Sequence, residues 1–214
     1  ICLLKAFPCA WGKCAFCDYI EDNSRDEASM VELNHRVLDL VTGEFGVLEV
    51  IDSASCFELP EQTLDRIAQV IKEKNIQKLF FEAHWIYRHK LDEMRKRMPV
   101  PIVFKIGVET FDHDFREKVL NKHADFSGPE EVARYFDSPC LMVGIKGQTK
   151  EMIARDIEYL KRYFKLGTVN VYNNNTTPIR RDEELVRWFM KEYQWLLDDP
   201  AVEVLYEITD FGVG

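Results

Sequence analysis

Three thiols stand close together near the start of the chain. Cys9, Cys14 and Cys17 lie in the run Phe7-Pro8-Cys9-Ala10-Trp11-Gly12-Lys13-Cys14-Ala15-Phe16-Cys17-Asp18-Tyr19, with four residues inside the first gap and two inside the second. Thiolates spaced this way on a short loop can wrap one cuboidal iron–sulfur cluster. Three ligands leave one iron of a [4Fe-4S] cluster open to the amino and carboxylate groups of a small molecule. The rival chemistry is structural zinc, which takes four closed ligands. A fourth would have to come from Cys2, Cys56 or a distant histidine, since the sequence holds no second CxxC pair. Gly12 and Lys13 on the same loop speak against three merely buried packing residues.

The remaining cysteines, Cys2, Cys56 and Cys140, are scattered. Cys140 opens an apolar strand and reads as core, and Cys56 reads as structural. Clustered thiols without a disulfide spacing point to a metal site in a reducing cytoplasm. Residues 1–5 show no signal-peptide pattern, and no apolar run nears the roughly 20 residues that span a bilayer.

A loop of this kind needs elements to hold it. Alternating apolar residues predict strands over 2–7, 47–52, 78–84, 102–109, 141–146, 168–173 and 202–208. Helices are expected over 26–41, 61–74, 90–97, 112–121, 129–136, 150–164 and 182–197. Leu64, Ile67 and Ile71 recur at helical spacing, as do Ile153, Ile157 and Leu160. Pro60 precedes the first of these helices and Asn75 is a stop after it. Strands alternating with helices mean an α/β fold of βα units on a parallel sheet. About six units plus a C-terminal strand suggest a complete or partial (β/α) barrel, built as a single domain over 1–214. Barrel sites form at the C-terminal ends of strands, and the cysteine loop follows the first strand.

Other polar groups collect at such ends. Along 102–109 the period of two puts Val103, Lys105, Gly107 and Glu109 on one face and Ile102, Phe104, Ile106 and Val108 on the other. Charge on an inward face is costly unless paired or used, so a Lys105–Glu109 salt bridge is the alternative to a site there. Glu82 and His84 share a face on the third strand, and Asn173, Asn174 and Asn175 close the sixth.

Charge narrows the substrate class. Lys and Arg total 28 against 37 Asp and Glu, a net charge of −9. A tRNA or DNA enzyme usually carries a basic face. The one basic cluster, Arg95-Lys96-Arg97, shares its helix with Asp92 and Glu93 and reads as a solvated face. A small-molecule substrate, with no direct nucleic acid and no membrane, is expected.

The cysteine loop resembles the cluster motif of the radical S-adenosylmethionine (SAM) superfamily, with Phe16 as the aromatic before the last ligand. It departs from the usual form in the four residues between Cys9 and Cys14. The resemblance covers roughly residues 1–180. Ile51-Asp52-Ser53-Ala54-Ser55 resembles the segment that holds the methionine amino group, without the usual glycines. Lys105-Ile106-Gly107-Val108-Glu109-Thr110 is similar to the ribose-holding strand, and Val143-Gly144-Ile145-Lys146-Gly147-Gln148-Thr149 to the glycine segment near the adenine. The resemblance implies a [4Fe-4S] cluster on Cys9, Cys14 and Cys17, and SAM against Phe16, Ser53, Ser55, Lys105, Glu109, Gly144 and Tyr172. It also implies an electron donor such as flavodoxin or ferredoxin.

Within that superfamily the chain looks like the queuine lyase group, which releases the cyclopentenediol of queuine and leaves 7-aminomethyl-7-deazaguanine. A deazapurine N–H edge suits a carboxylate, for which Glu82, Asp210 and Asp18 are candidates. His84 and Asn173 to Asn175 would meet the diol or amine, and Trp85, Tyr172 and Phe57 would stack on the base. The alternatives are a radical enzyme for tRNA modification or protein activation, or a non-enzymatic zinc- or cluster-binding domain.

Overall fold

The computed structural model describes residues 1–206. Period-two apolar patterning is realised as seven strands there: β1 (Cys2–Leu4), β2 (Val47–Asp52), β3 (Lys78–Glu82), β4 (Ile102–Glu109), β5 (Ser138–Val143), β6 (Gly167–Val171) and β7 (Val202–Leu205). The helices are α1 (Glu27–Asp39), α2 (Glu61–Glu73), α3 (Leu91–Arg97), α4 (Pro129–Ala133), α5 (Lys150–Tyr163) and α6 (Glu183–Glu192). The chain divides into two compact units, one of residues 1–12 and 18–104 and one of residues 13–17 and 105 onward.

In the first unit β1, β2 and β3 pair in parallel in sequence order, with Cys2 opposite Val50 and Val47 opposite Lys78. The i, i+3, i+4 stripe of α2 buries Leu64, Ile67 and Ile71, together with Leu38 of α1 and Leu79 and Phe81 of β3. Asp26 caps α1 by accepting Ser29 N–H at 3.2 Å. Asn75 ends α2 in the left-handed region at φ 54°, as its position predicted. The basic run on α3 is ion-paired: Arg97 reaches Asp65 at 2.7 Å and Arg95 reaches Asp92 at 3.0 Å.

In the second unit β4 to β7 pair in parallel, again in sequence order. Thr149 caps α5 and Asp182 caps α6, each accepting N–H groups of the first turn. The core holds Val108, Leu141, Ile153, Val169 and Phe189.

The first strand stops at Leu4 and the last helix at Glu192, short of their expected spans, and two further expectations change. The fifth strand runs three residues earlier than predicted, because Gly144 leaves the strand at φ 85°. The helix expected over 112–121 is instead a π-helical turn, Phe115–Val119. Its cause is Arg116, 1% exposed, whose guanidinium donates to the carbonyls of Thr110, Ala124 and Phe126 at 3.0–3.1 Å. The chain wraps around that buried charge rather than continuing as an α-helix. Of the strand expected over 202–208, the last residues lie outside those described.

Candidate cluster and cofactor site

Several of the expected residues sit at or just after the C-terminal ends of strands, as the βα architecture favours. In the first unit, Ser53 follows β2. Its Oγ accepts Ala6 N–H at 3.0 Å and the Asn23 amide at 2.9 Å. Asn23 in turn accepts Cys9 N–H at 3.2 Å. Ser53 therefore braces Cys9 through Asn23, a residue that drew no expectation from the sequence. Gly12, at φ 58°, absorbs the longer first gap: a Cβ there would stand 3.1 Å from Cys9 O.

Glu58 lies beneath the same arm. Its Oε1 accepts Ala10 N–H at 3.1 Å and the Tyr87 hydroxyl at 2.5 Å, and its carbonyl accepts Phe7 N–H at 3.0 Å. Burial pushes the Glu58 carboxyl up, against the lowering effect of the Tyr87 hydrogen bond. Asp52 is buried at the end of β2, its Oδ1 accepting Ala54 N–H at 2.8 Å. Burial, and then the charges of Glu82 and Glu58, hold its carboxyl well above the ordinary range. Ser55 lies close enough to Glu58 to oppose that residue's upward shift, yet neither Ser55 Oγ nor Glu58 Oε2 completes a hydrogen bond. Asp52 Oδ2 is also without a donor. Asp52, Ser55 and Glu58 thus each leave one buried side-chain oxygen unpaired. Cys56 is fully buried and its thiol is pushed well up by burial, which fits the structural role expected of it.

In the second unit, Ala15 N–H donates to Leu120 O at 2.8 Å, Asn121 Nδ2 to Lys13 O at 2.7 Å and Asn175 Nδ2 to Phe16 O at 2.7 Å. Phe16 packs on the cluster formed by Phe115, Leu120, Met142, Ile145 and Tyr172. Glu109 ends β4 in the left-handed region at φ 63°, uncommon for a residue with a side chain. Its carboxylate holds Lys122 Nζ at 2.6 Å. Gly107 makes the room, since a Cβ there would stand 2.7 Å from that ammonium.

The Lys105–Glu109 salt bridge is therefore corrected. Lys105 pairs with Glu203 of β7 at 3.5 Å, and Glu109 pairs with Lys122. Four residues of extended strand separate Lys105 from Glu109 by about 13 Å, so only Glu109 reaches the strand end. Cys140, expected in the core, is half-buried.

Other expected residues are already engaged. Asn173 Oδ1 accepts the Arg181 guanidinium at 2.6 Å and Asn174 Oδ1 accepts Arg181 N–H at 2.9 Å, so these amides brace the loop after β6. Tyr172 O–H donates to Asn175 Oδ1 at 3.2 Å. Arg88 covers the ring of Trp85 at 4.8 Å, and Phe57 stacks on Tyr87 at 4.7 Å. Glu82 ends β3, half-buried, and His84 Nδ1 accepts Ile86 N–H at 3.3 Å. Gly144 approaches Val186 so closely that no side chain fits. Asp18 is half-buried before the 3-10 turn Tyr19–Asp22. Asp210 lies outside the described residues.

The donor set suits the expected group. Cys9, Cys14 and Cys17 are half-buried and in no disulfide. Among the described residues no group of three or more His, Cys, Asp or Glu side chains is gathered around a single-ion position.

Parallel βα strands in both units and a three-cysteine loop after the first strand define a protein of the α/β class. No protein-family model matches the chain. The uncharacterized protein MJ0550 of Methanocaldococcus jannaschii is 25% identical over 169 residues, which are 71% of this chain and 39% of that protein. The chain thus spans well under two thirds of that relative's length. A radical SAM methyltransferase, TsrM of Kitasatospora setae with tryptophan and a SAM analogue bound, aligns over 78% of this chain and 35% of its own, at 12% identity and a TM-score of 0.44. Queuine lyase from Clostridium spiroforme, bound to SAM and queuine, is 53% identical with a TM-score of 0.96, over 99% of this chain and 92% of that one. The chain belongs to the family of that queuine lyase.

Proposed function

We propose that this chain is a radical SAM lyase that cleaves queuine to 7-aminomethyl-7-deazaguanine and releases the cyclopentenediol group by breaking a carbon–nitrogen bond. The observation that carries the reading is the three-cysteine loop in a chain 53% identical to a queuine lyase over nearly its whole length.

Cys9, Cys14 and Cys17 would hold a [4Fe-4S] cluster. Such a cluster, once reduced, would supply the one electron that splits the SAM sulfonium into methionine and a 5′-deoxyadenosyl radical. The chain's own part is positioning and exclusion of water. Asn23, Glu58 and Asn175 fix the loop backbone by hydrogen bonds to Cys9, Ala10 and Phe16. Asp52, Ser55 and Glu58 offer the unpartnered oxygens for ligand N–H groups, and burial there makes an unsatisfied donor costly. Glu109 stands at a strand end where a ribose or a base edge would be read, and Glu82 ends β3.

The substrate is a free base rather than a polymer, in keeping with the net charge of −9. The electron donor is a small redox protein such as flavodoxin or ferredoxin. Among the described residues no helix is long and apolar enough to cross a membrane. The three reduced thiols suit the cytoplasm.

Anaerobic reconstitution tests the reading. The protein should take up about four irons, form 5′-deoxyadenosine only with reductant, and convert queuine to a product with the mass of the aminomethyl base. Stoichiometric zinc with no nucleoside product would refute it. 5′-Deoxyadenosine formed without any change in queuine would leave the cluster chemistry and remove the substrate.

A further inference from the structure

Lys122 drew no expectation from the sequence, yet it and the two residues before it all engage the cysteine-bearing segment 13–17. Leu120 O accepts Ala15 N–H, Asn121 Nδ2 donates to Lys13 O, and Lys122 Nζ lies 5.4 Å from the centre of the Phe16 ring. The backbone takes two left-handed residues to present them, Asn121 at φ 50° and His123 at φ 54°. Non-glycine residues hold such angles only where the surroundings enforce them.

The Lys122 ammonium is buried, and its 2.6 Å contact with Glu109 occupies the space that Gly107 leaves. Phe16, whose ring that ammonium approaches, stands between Cys14 and Cys17 in the chain. A buried cation persists where negative charge compensates it. Here the Glu109 carboxylate provides that charge, and a cluster on Cys14 and Cys17 would add to it.

We infer that Lys122 is the counter-cation of the Cys14 and Cys17 side of the cluster and raises its reduction potential, while Glu109 moderates that effect. The inference rests on the proposed cluster. One-electron reduction adds negative charge to a centre already ringed by thiolates. A fixed ammonium in a poorly solvated site stabilises the reduced state more than the oxidised one. Cluster potentials respond to net charge, burial and nearby hydrogen bonds. Lys122 is a positioning residue in this role, since it acts through the cluster and not on substrate.

The test is a potentiometric titration of the reconstituted full chain, followed by the electron paramagnetic resonance signal of the reduced cluster, without SAM or queuine. Lys122→Met should lower the reduced-to-oxidised ratio at a fixed potential about tenfold, a midpoint shift of about 59 mV for one electron. Lys122→Arg should stay near the parent. Glu109→Gln should move the midpoint upward, because it leaves the ammonium without its carboxylate. General damage to the fold would not shift the two variants in opposite directions. A Lys122→Met midpoint at or above the parent value overturns the inference. If Lys122→Met takes up no cluster, Glu109→Gln decides alone: an upward shift supports the inference, and an unchanged or lower midpoint overturns it. A parent chain that assembles no cluster overturns both this inference and the proposed function. A parent with a cluster whose midpoint ignores Lys122 overturns this inference only.

Discussion

Replacing Gly107 with alanine tests whether the Lys122–Glu109 pair occupies the space assigned to it. The new Cβ would stand 2.7 Å from Lys122 Nζ and closer still to Glu109 Oε1. Comfortable contacts begin at about 3.5 Å, so the ammonium must retreat by about 0.8 Å. The two side chains are only 11% and 8% exposed, which leaves little solvent to swing into. Full separation of a buried pair costs about 3–5 kcal/mol, whereas overpacking that flexible tips can partly relieve costs about 1–3 kcal/mol. Tips of side chains are what meet the new methyl, so the lower range applies. Loss of glycine's freedom in the unfolded chain returns about 0.4–1 kcal/mol. The net expectation is a loss of about 1–2 kcal/mol. With a urea m-value of about 2 kcal/mol/M, the midpoint should fall by about 0.5–1 M. The assay is urea denaturation of the metal-free protein under anaerobic conditions, followed by far-ultraviolet circular dichroism. Gly128→Ala is the matched control: its backbone is extended at φ 166°, and a Cβ there meets nothing within 4 Å. It should stay within about 0.5 kcal/mol of the parent. If Gly107→Ala proves no less stable than Gly128→Ala, the packing argument fails.

Asp156 makes stability depend on pH. Burial raises its carboxyl from 3.8 to about 7 while it accepts Phe111 N–H at 2.9 Å, so the folded state binds the proton more tightly than the unfolded one. Stability should be greatest at the acid end and fall by up to about 1.4 kcal/mol per pH unit between those two values; Asp156→Asn should flatten that slope in urea titrations across the window, and an unchanged slope would assign it elsewhere. Asn175→Ala removes the 2.7 Å hydrogen bond to Phe16 O and should cost about 1 kcal/mol. It should also speed iron loss to a chelator, and retention equal to the parent would deny Asn175 its role in holding the loop. Cys140→Ala and Cys56→Ala should each keep the full iron content, whereas alanine at Cys9, Cys14 or Cys17 should abolish it, as iron analysis after reconstitution will show.

Much of the scaffold was readable from local pattern. Strands β2 and β4 begin and end where the alternation of apolar residues begins and ends, and α2 departs by one residue from its expected span. Periodicity succeeds there because each element buries one continuous face. It failed over 112–121, where the determining residue is a buried arginine. Arg116 looks like a surface residue in the sequence, and its carbonyl partners reach as far along the chain as Phe126. The site divides in the same way. The three thiols announce themselves by type and spacing. Asn23, Glu58, Tyr87 and Lys122 carry no local signal, because each acts on a backbone group or charge remote in sequence.

By itself, then, the sequence determined the α/β class and pointed to the cysteine loop as the candidate chemical centre and to a small substrate. These follow from residue type, short spacing and total charge, which need no knowledge of contacts. Tertiary structure alone decided which charges pair. Lys105 takes Glu203 and Glu109 takes Lys122, although Lys105 and Glu109 share a strand face. An extended chain holds residues four apart beyond the reach of an ion pair, while folding delivers partners 98 and 13 positions away. The cluster loop was legible as a set of ligands, and the hydrogen bonds and buried charge that hold it are products of the fold.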